Sequence, residues 1–159
     1  MKKTAYLTAL LAGIILSMPA FADSGTCGDG CSWDLTNGKL TISGTGAMTE
    51  YQSNAEVPWA SVASTITNVE ITNGITNIGN RAFNGATSLT SISIPDSVTS
   101  IGIAAFQNAS SLEHVTIPDS VQSIGDGAFN KAFSLKSVNI PEGVTSLGRQ
   151  AFYQTSLES

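Results

Sequence analysis

The sequence predicts a solenoid of stacked coils with a parallel sheet on one face, short helical or irregular segments on the other, and a β-hairpin cap at its N-terminal end. Three observations predict it. Apolar residues recur every 23 positions from residue 71 onwards, each unit contains a stretch that alternates apolar and polar residues, and an alternating stretch with a central Asn-Gly precedes the repeats. One such coil cannot bury its own apolar edge, whereas stacked coils bury a continuous core.

Residues 1–22 are predicted to be a secretory signal peptide. Two lysines precede an apolar stretch over residues 5–18, and Ala22 and Asp23 flank the expected cleavage site. A retained membrane anchor needs about 20 apolar residues, and this stretch is shorter and interrupted by polar residues and a proline. We therefore expect an exported chain, located outside the cell, on its surface or in the periplasm, without membrane insertion after the signal is removed.

Cys27 and Cys31 are predicted to form a local disulfide. They lie in Cys-Gly-Asp-Gly-Cys, where the glycines let the chain fold back, and an exported compartment favours oxidation. Closing so short a loop contributes about 2 kcal/mol by the chain-entropy estimate. Two alternatives stay open: a zinc site, which would need further ligands although the only histidine, His114, is distant, and a redox pair, which normally has the spacing Cys-x-x-Cys.

Residues 32–43 are predicted to form the hairpin. Trp33 and Leu35 alternate with polar residues before Asn37-Gly38, and a second alternating stretch follows this turn. A two-stranded hairpin is marginal alone, so its apolar face must cover something. We assign residues 23–62 to an N-terminal capping region.

Residues 63–159 are predicted to be the repeats. A partial unit extends to residue 70, units begin at 71, 94 and 117, and an incomplete unit begins at 140. In Ile-Pro-Asp-Ser-Val, proline is expected at the second position of a β-turn and Asp at the third. Gly-x-x-Ala-Phe is expected to give a tight corner and a short helical turn, and the phenylalanines form a predicted core column of Phe83, Phe106, Phe129 and Phe152.

The repeat Ile-Pro-Asp-Ser-Val-x-Ser-Ile-Gly-x-x-Ala-Phe-x-x-Ala-x-Ser-Leu-x-x-Val-x resembles the BspA-type leucine-rich repeat of bacterial and some protist surface proteins. The segments around Trp33-Asp34-Leu35, residues 38–48 and Pro58-Trp59 resemble the cap of that family. The resemblance implies a curved right-handed leucine-rich-repeat solenoid. It also implies a surface protein that binds other molecules, with host matrix proteins and host cells among the family's targets, but no single ligand.

Function is expected on the outward positions, because packing consumes the inward ones. Neighbouring rungs of a sheet lie about 4.8 Å apart, so outward residues form polar columns. The candidate binding surface comprises Asn68, Glu70, Ser91, Ser93, Glu113, His114, Thr116, Lys136, Ser137 and Asn139. Ile103 and Phe133 are apolar at further positions predicted to face outward.

Composition narrows the function classes. Charged residues make up 12% of the chain and the formal charge is −5, which becomes −7 without the two lysines of the signal. A chain with so little positive charge cannot neutralise many phosphates, so nucleic acid is a poor partner. No pattern indicates catalytic residues, a metal or a cofactor. The sequence predicts a secreted or cell-surface protein-binding module for adhesion to host or matrix proteins.

Two further expectations concern other ligands and the end of the array. The alternative function is a carbohydrate-binding or structural cell-envelope component that uses the same Ser, Thr and Asn surface. Exposed aromatic residues on that face would favour it, and the predicted columns contain none. The last unit is incomplete and would leave its apolar face uncovered, so we expect the isolated residues 23–159 to self-associate or fray through this open C-terminal coil.

Overall fold

The computed structural model describes residues 23–158, so the predicted signal peptide and its cleavage after Ala22 lie outside the described residues. The predicted solenoid is confirmed. Its strands are β1 Asp23–Gly28, β2 Cys31–Thr36, β3 Lys39–Gly44, β4 Asn68–Ile71, β5 Asn77–Ile78, β6 Ser91–Ser93, β7 Ser100–Ile101, β8 His114–Thr116, β9 Ser123–Ile124, β10 Ser137–Asn139 and β11 Ser146–Leu147. Short 3₁₀ helices occupy Asn54–Glu56 and Ala60–Thr65.

The cap contains the predicted hairpin and one strand more. Strands β2 and β3 pair antiparallel around Asn37-Gly38, whose φ angles of 52° and 79° suit a tight turn. The additional strand β1 pairs antiparallel with β2, and the predicted disulfide between Cys27 and Cys31 is formed at their junction. Strand β3 also pairs in parallel with β4. The three cap strands therefore continue the solenoid sheet beyond the first coil.

Each coil contributes to two parallel ladders. One contains β3, β4 and β6, after which β8 and β10 form a separate pair, while the other runs through β5, β7, β9 and β11. The sequence predicted only the first. The second ladder has two residues per strand, and each strand follows the turn after β4, β6, β8 or β10. This turn is Pro-Asp in two coils, Asn73-Gly74 before β5 and Pro141-Glu142 before β11. The second ladder joins adjacent coils along the segment between this turn and the Gly-x-x-Ala-Phe corner.

The prediction of a short helical turn at Gly-x-x-Ala-Phe is wrong. The segment forms successive turns: the Ala82 N–H donates to the Gly79 carbonyl, while the Phe83 N–H donates to Ala105 of the next coil at 2.8 Å. Arg81 has a left-handed φ of 59°, which breaks a helix after one turn. Backbone groups that a helix would satisfy internally are thus used to join neighbouring coils.

The glycine at this corner permits coils to approach. A Cβ atom on Gly125 would lie 2.6 Å from the Ile103 nitrogen and 2.7 Å from the Gly102 carbonyl carbon. A Cβ on Gly148 would lie 2.3 Å from the Asp126 nitrogen. Close backbone contact, rather than a positive φ, therefore requires glycine here.

The position of the proline turn also differs from the prediction. The Val98 N–H donates to the Pro95 carbonyl at 3.0 Å, so proline is the first residue of the turn and Asp96 the second. Proline has no N–H but retains its carbonyl as an acceptor. The third residue, Ser97, ties the turn to the preceding coil because its hydroxyl donates to the Ile75 carbonyl at 2.7 Å.

The predicted phenylalanine column is confirmed as a stack of rings. Adjacent centroids from Phe83 to Phe152 are 5.2, 4.9 and 5.2 Å apart, and the planes are nearly parallel. Trp59 of the cap extends this stack at 6.0 Å from Phe83, and its indole N–H donates to the Ala82 carbonyl at 2.7 Å. The core thus runs continuously from the cap into the repeats.

Candidate functional site

The outward residues of β2, β3, β4, β6, β8 and β10, together with Glu113 and Lys136, form what we call the strand face. The register places Asn68 beside Ser91 and Glu70 beside Ser93. It places each of the three residues of β8 beside the residue 23 positions later in β10. All ten predicted surface residues are exposed or half-buried and belong to this face. Their role in binding stays a prediction.

The strand face extends onto the cap, which the sequence-based prediction missed. Lys39 lies beside Asn68 and Thr41 beside Glu70 in the β3–β4 register. Asp34 of β2 in turn lies beside Thr41. The alternation in residues 32–43 indicated which side chains share a face, but it could not give the register between hairpin and first coil.

Charged side chains on the strand face pair across rungs. Lys39 Nζ lies 2.5 Å from Glu70 Oε2, and Lys136 Nζ lies 3.1 Å from Glu113 Oε2. The four side chains are about half exposed, so each pair contributes less than about 1 kcal/mol to stability. Each pair cancels two opposite charges of the face, whereas Asp34 of β2 has no basic partner among residues 23–158.

Neutral polar side chains pair across rungs in the same way. Asn68 Nδ2 donates to Ser91 Oγ at 2.5 Å, and His114 Nδ1 lies 2.8 Å from Ser137 Oγ. His114 Nε2 is 4.0 Å from Glu113 Oε2. These contacts hold the polar groups in fixed relative positions, which lowers the entropy that a partner's binding must offset.

A seam interrupts the strand face between β6 and β8. In the described part of the chain, no hydrogen-bonded register joins these two strands, although β7 and β9 of the same coils are paired. Ile92 and Ile94 are half-buried as a consequence. Their counterparts in the preceding coil, Val69 and Ile71, are 0% and 3% exposed.

A groove of about 510 Å³ lies at this seam. Ile92, Ile94, Ile117 and Pro118 supply its apolar part. The outward side chains of Ser93, Thr116 and Asn139 line it from the strand face, so three of the predicted surface residues border it. Its remaining lining residues are Asp96 and Asp119.

Asp96 and Asp119 occupy equivalent turns of successive coils. Both are exposed, and neither forms an ion pair or side-chain hydrogen bond with any residue between 23 and 158. The next coil carries Glu142 at the same position. An uncompensated acidic column therefore runs beside the strand face.

The predicted apolar outward residues are exposed, Ile103 by 45% and Phe133 by 52%. Neither belongs to a strand of the strand face.

In the last coil, Ile140 and Leu147 are 41% and 54% exposed, whereas Ile117 is 1% exposed in the coil before.

Residues 23–158 contain no group of three or more His, Cys, Asp or Glu residues that could hold a metal ion. None of the helices in this part of the chain is long and apolar enough to cross a membrane.

Comparison with known proteins gives a family match over most of the chain. The family model for the BspA type leucine rich repeat region matches residues 61–159 with six copies of the repeat. No curated protein matches the chain.

Solved bacterial structures share the fold. A leucine-rich repeat protein from T. pallidum is 27% identical, with a TM-score of 0.60 over 80% of this chain and 66% of its own. One from Eubacterium ventriosum is 22% identical, with a TM-score of 0.53 over 84% and 63%. One from Bacteroides ovatus is 24% identical, with a TM-score of 0.59 over 73% and 34%. The chain spans less than two thirds of each of these proteins.

Proposed function

The chain belongs to the BspA-type leucine-rich-repeat family, and we propose that it is a protein-binding module at the bacterial surface that adheres to host or matrix proteins through its strand face. The observation that carries this proposal is the extent of that face. Its outward polar residues follow one register over the cap strands and the first coils and another over β8 and β10. A regular, extended surface of this kind is what solenoid proteins use for binding.

The chemistry of the face supports binding rather than catalysis. Four of its charged side chains form two ion pairs, and Asn68 and Ser91 form a hydrogen bond with each other across the rungs. The shifted pKa found between residues 23 and 158 belongs to Tyr51 in the cap, away from this face. Active sites usually collect perturbed titratable groups in a cleft. The face instead offers many weak polar contacts spread over several rungs.

A binding assay with two matched variants tests the proposal. Residues 23–159 are immobilised, and extracellular matrix glycoproteins are passed over them before and after enzymatic deglycosylation. Ser91→Arg places a bulky charge on the strand face, and we expect it to weaken binding at least tenfold. Gln122→Arg places the same side chain before β9 of the other ladder, where it should change affinity less than twofold.

Three results would contradict the proposal. The matrix proteins could fail to bind at all, or the two arginine variants could weaken binding equally. Loss of binding only after sugar removal would favour the carbohydrate-binding alternative instead. In residues 23–158 no aromatic side chain lies on the strand face, which favours protein over sugar as the ligand.

Self-association through the last coil is a second, separate proposal. Ile140, Leu147, Tyr153 and Leu157 are between 39% and 54% exposed in this coil, and a second copy of the chain would cover them. We expect light scattering on residues 23–159 to give a mass above that of a monomer. A monodisperse monomer with strong exchange protection of the Phe152 amide would contradict this.

A further inference from the structure

We infer that the groove at the β6–β8 seam binds an extended segment of a partner protein in which an apolar side chain lies next to lysine or arginine. This inference rests on the proposed protein-binding function and names the chemistry of the partner. It depends on three features of the groove: its apolar floor, its unpaired carboxylates and its unpaired strand edges.

The floor of the groove can accept one apolar side chain. Ile92 and Ile94 are half-buried, and Ile117 and Pro118 lie opposite them in the next coil. Covering this apolar surface is favourable because it removes that surface from water. A volume of about 510 Å³ is ample for a leucine-sized side chain and its flanking backbone.

The carboxylates select a cation beside that apolar side chain. Asp96 and Asp119 line the same groove and have no basic partner within residues 23–158. The two residues occupy equivalent positions in adjacent coils and line one groove, so their negative charges repel each other until a cation lies between or beside them. Lysine and arginine satisfy this requirement with long side chains.

The strand edges favour a peptide over other ligands. β6 and β8 form no hydrogen bonds with each other, so their facing backbone groups can bond to polar groups of an extended peptide that lies over the seam. The two strands come within 8 Å of each other, which is too close for a further strand to insert between them. The nine lining residues include no aromatic side chain on which a sugar ring could stack. Nucleic acid is disfavoured because the groove is acidic.

Three octapeptides probe the groove by NMR titration of residues 23–159. The first, acetyl-GSLKSKSG-amide, combines leucine with two lysines; the second replaces its leucine with serine; and the third replaces its lysines with glutamates. We expect the first peptide to shift the amide resonances of Ser93, Asp96, Thr116 and Asp119. We expect both altered peptides to bind at least fivefold more weakly.

Variants of the chain test the carboxylates directly. The double variant Asp96→Asn with Asp119→Asn keeps side chains that suit a turn and should weaken binding of the first peptide at least fivefold. Glu142→Gln removes one charge from the same acidic column outside the groove lining and should change affinity less than twofold. Raising the NaCl concentration from 50 to 500 mM should weaken wild-type binding and have less effect on the double variant.

Equal binding of the lysine and glutamate peptides, or unchanged affinity in the double variant, would overturn the inference. So would saturable shifts at the same amides with maltohexaose and none with the first peptide. The two proposals fail separately. If matrix proteins bind and the double variant binds them as wild type does, the protein-binding function stands and the groove is not its site. If the peptide binds as expected and no matrix protein does, the groove stands and matrix adhesion does not.

Discussion

The side-chain amide of Asn77 binds both backbone groups of Met48. Its Oδ1 accepts the Met48 N–H at 2.6 Å, and its Nδ2 donates to the Met48 carbonyl at 3.1 Å and to Glu50 Oε1 at 2.7 Å. Asn77 is 8% exposed and begins β5. The amide satisfies the cap backbone as a neighbouring strand would, so this side chain adds to the β3–β4 pairing in joining the cap to the first coil.

Asn77→Ala should therefore lower the free energy of unfolding by about 3 kcal/mol, because it leaves buried backbone groups of Met48 without partners. Urea unfolding monitored by circular dichroism measures the change. Ser100→Ala is the matched control at the equivalent position of β7, where no side-chain hydrogen bond to a cap residue exists, and it should cost less than about 1 kcal/mol. Equal costs for the two variants would contradict the role assigned to Asn77.

Gly125→Ala should be among the most damaging substitutions in the repeats. The added Cβ would meet three backbone atoms of the preceding coil within 2.9 Å, and the backbone cannot move aside as a flexible side chain can. We expect a loss of about 3 kcal/mol or more in unfolding free energy.

Gly85→Ala provides the comparison for this clash. Gly85 has a φ of 76°, but nothing lies within 4 Å of the added Cβ. Its substitution should cost about 1 kcal/mol from backbone strain alone. If thermal or urea unfolding shows Gly85→Ala to be as harmful as Gly125→Ala, the close approach of coils is not what requires glycine at position 125.

The ring stack predicts a gradient of stability along the solenoid. Phe106 is 0% exposed and lies between two rings, so Phe106→Ala should cost about 3 to 5 kcal/mol. Phe152 is half-buried and has a ring neighbour on one side, Phe129, so the same change there should cost less than half as much. Urea unfolding of both variants checks this. Equal losses in unfolding free energy would mean that the position of a ring within the stack does not determine its contribution to stability.

The sequence predicted the repeated core positions, the hairpin and the disulfide, but it missed the second ladder and strand β1. Phe83 and its counterparts share one environment in every coil, so their period alone identified the core column. Strand β1 escaped prediction because Asp23–Gly28 is rich in residues with low strand propensity, and its pairing with β2 forms it.

The candidate site was likewise predicted only in part. The outward columns followed from the repeat, because residues 23 positions apart share a face. The seam between β6 and β8 and the groove beside Asp96 depend on the spacing of two particular coils, which no period encodes. The sequence also could not place Lys39 on the strand face, because its position there depends on the register of β3 against β4.

Tyr51 should make stability depend on pH in alkaline solution. Burial raises the pKa of Tyr51 from 10.0 to about 12, against a smaller lowering by a hydrogen bond with the Thr49 side chain. Its hydroxyl donates to the Cys27 carbonyl at 3.4 Å. The unfolded chain loses this proton near pH 10 while the folded chain keeps it, so the contribution is complete below pH 10 and is lost as pH rises towards 12. In that interval the free energy of unfolding should fall by about 1.4 kcal/mol per pH unit.

Tyr51→Phe isolates this effect from the titration of other groups. The variant loses one long hydrogen bond and should be almost as stable as wild type at pH 8. Urea unfolding between pH 9 and 11.5 should show wild-type stability falling more steeply than that of the variant, with tyrosinate absorbance at 295 nm reporting the late ionisation. Parallel stability curves would mean that Tyr51 ionises alike in both states, because only a difference in its proton affinity between folded and unfolded chains can separate the two slopes.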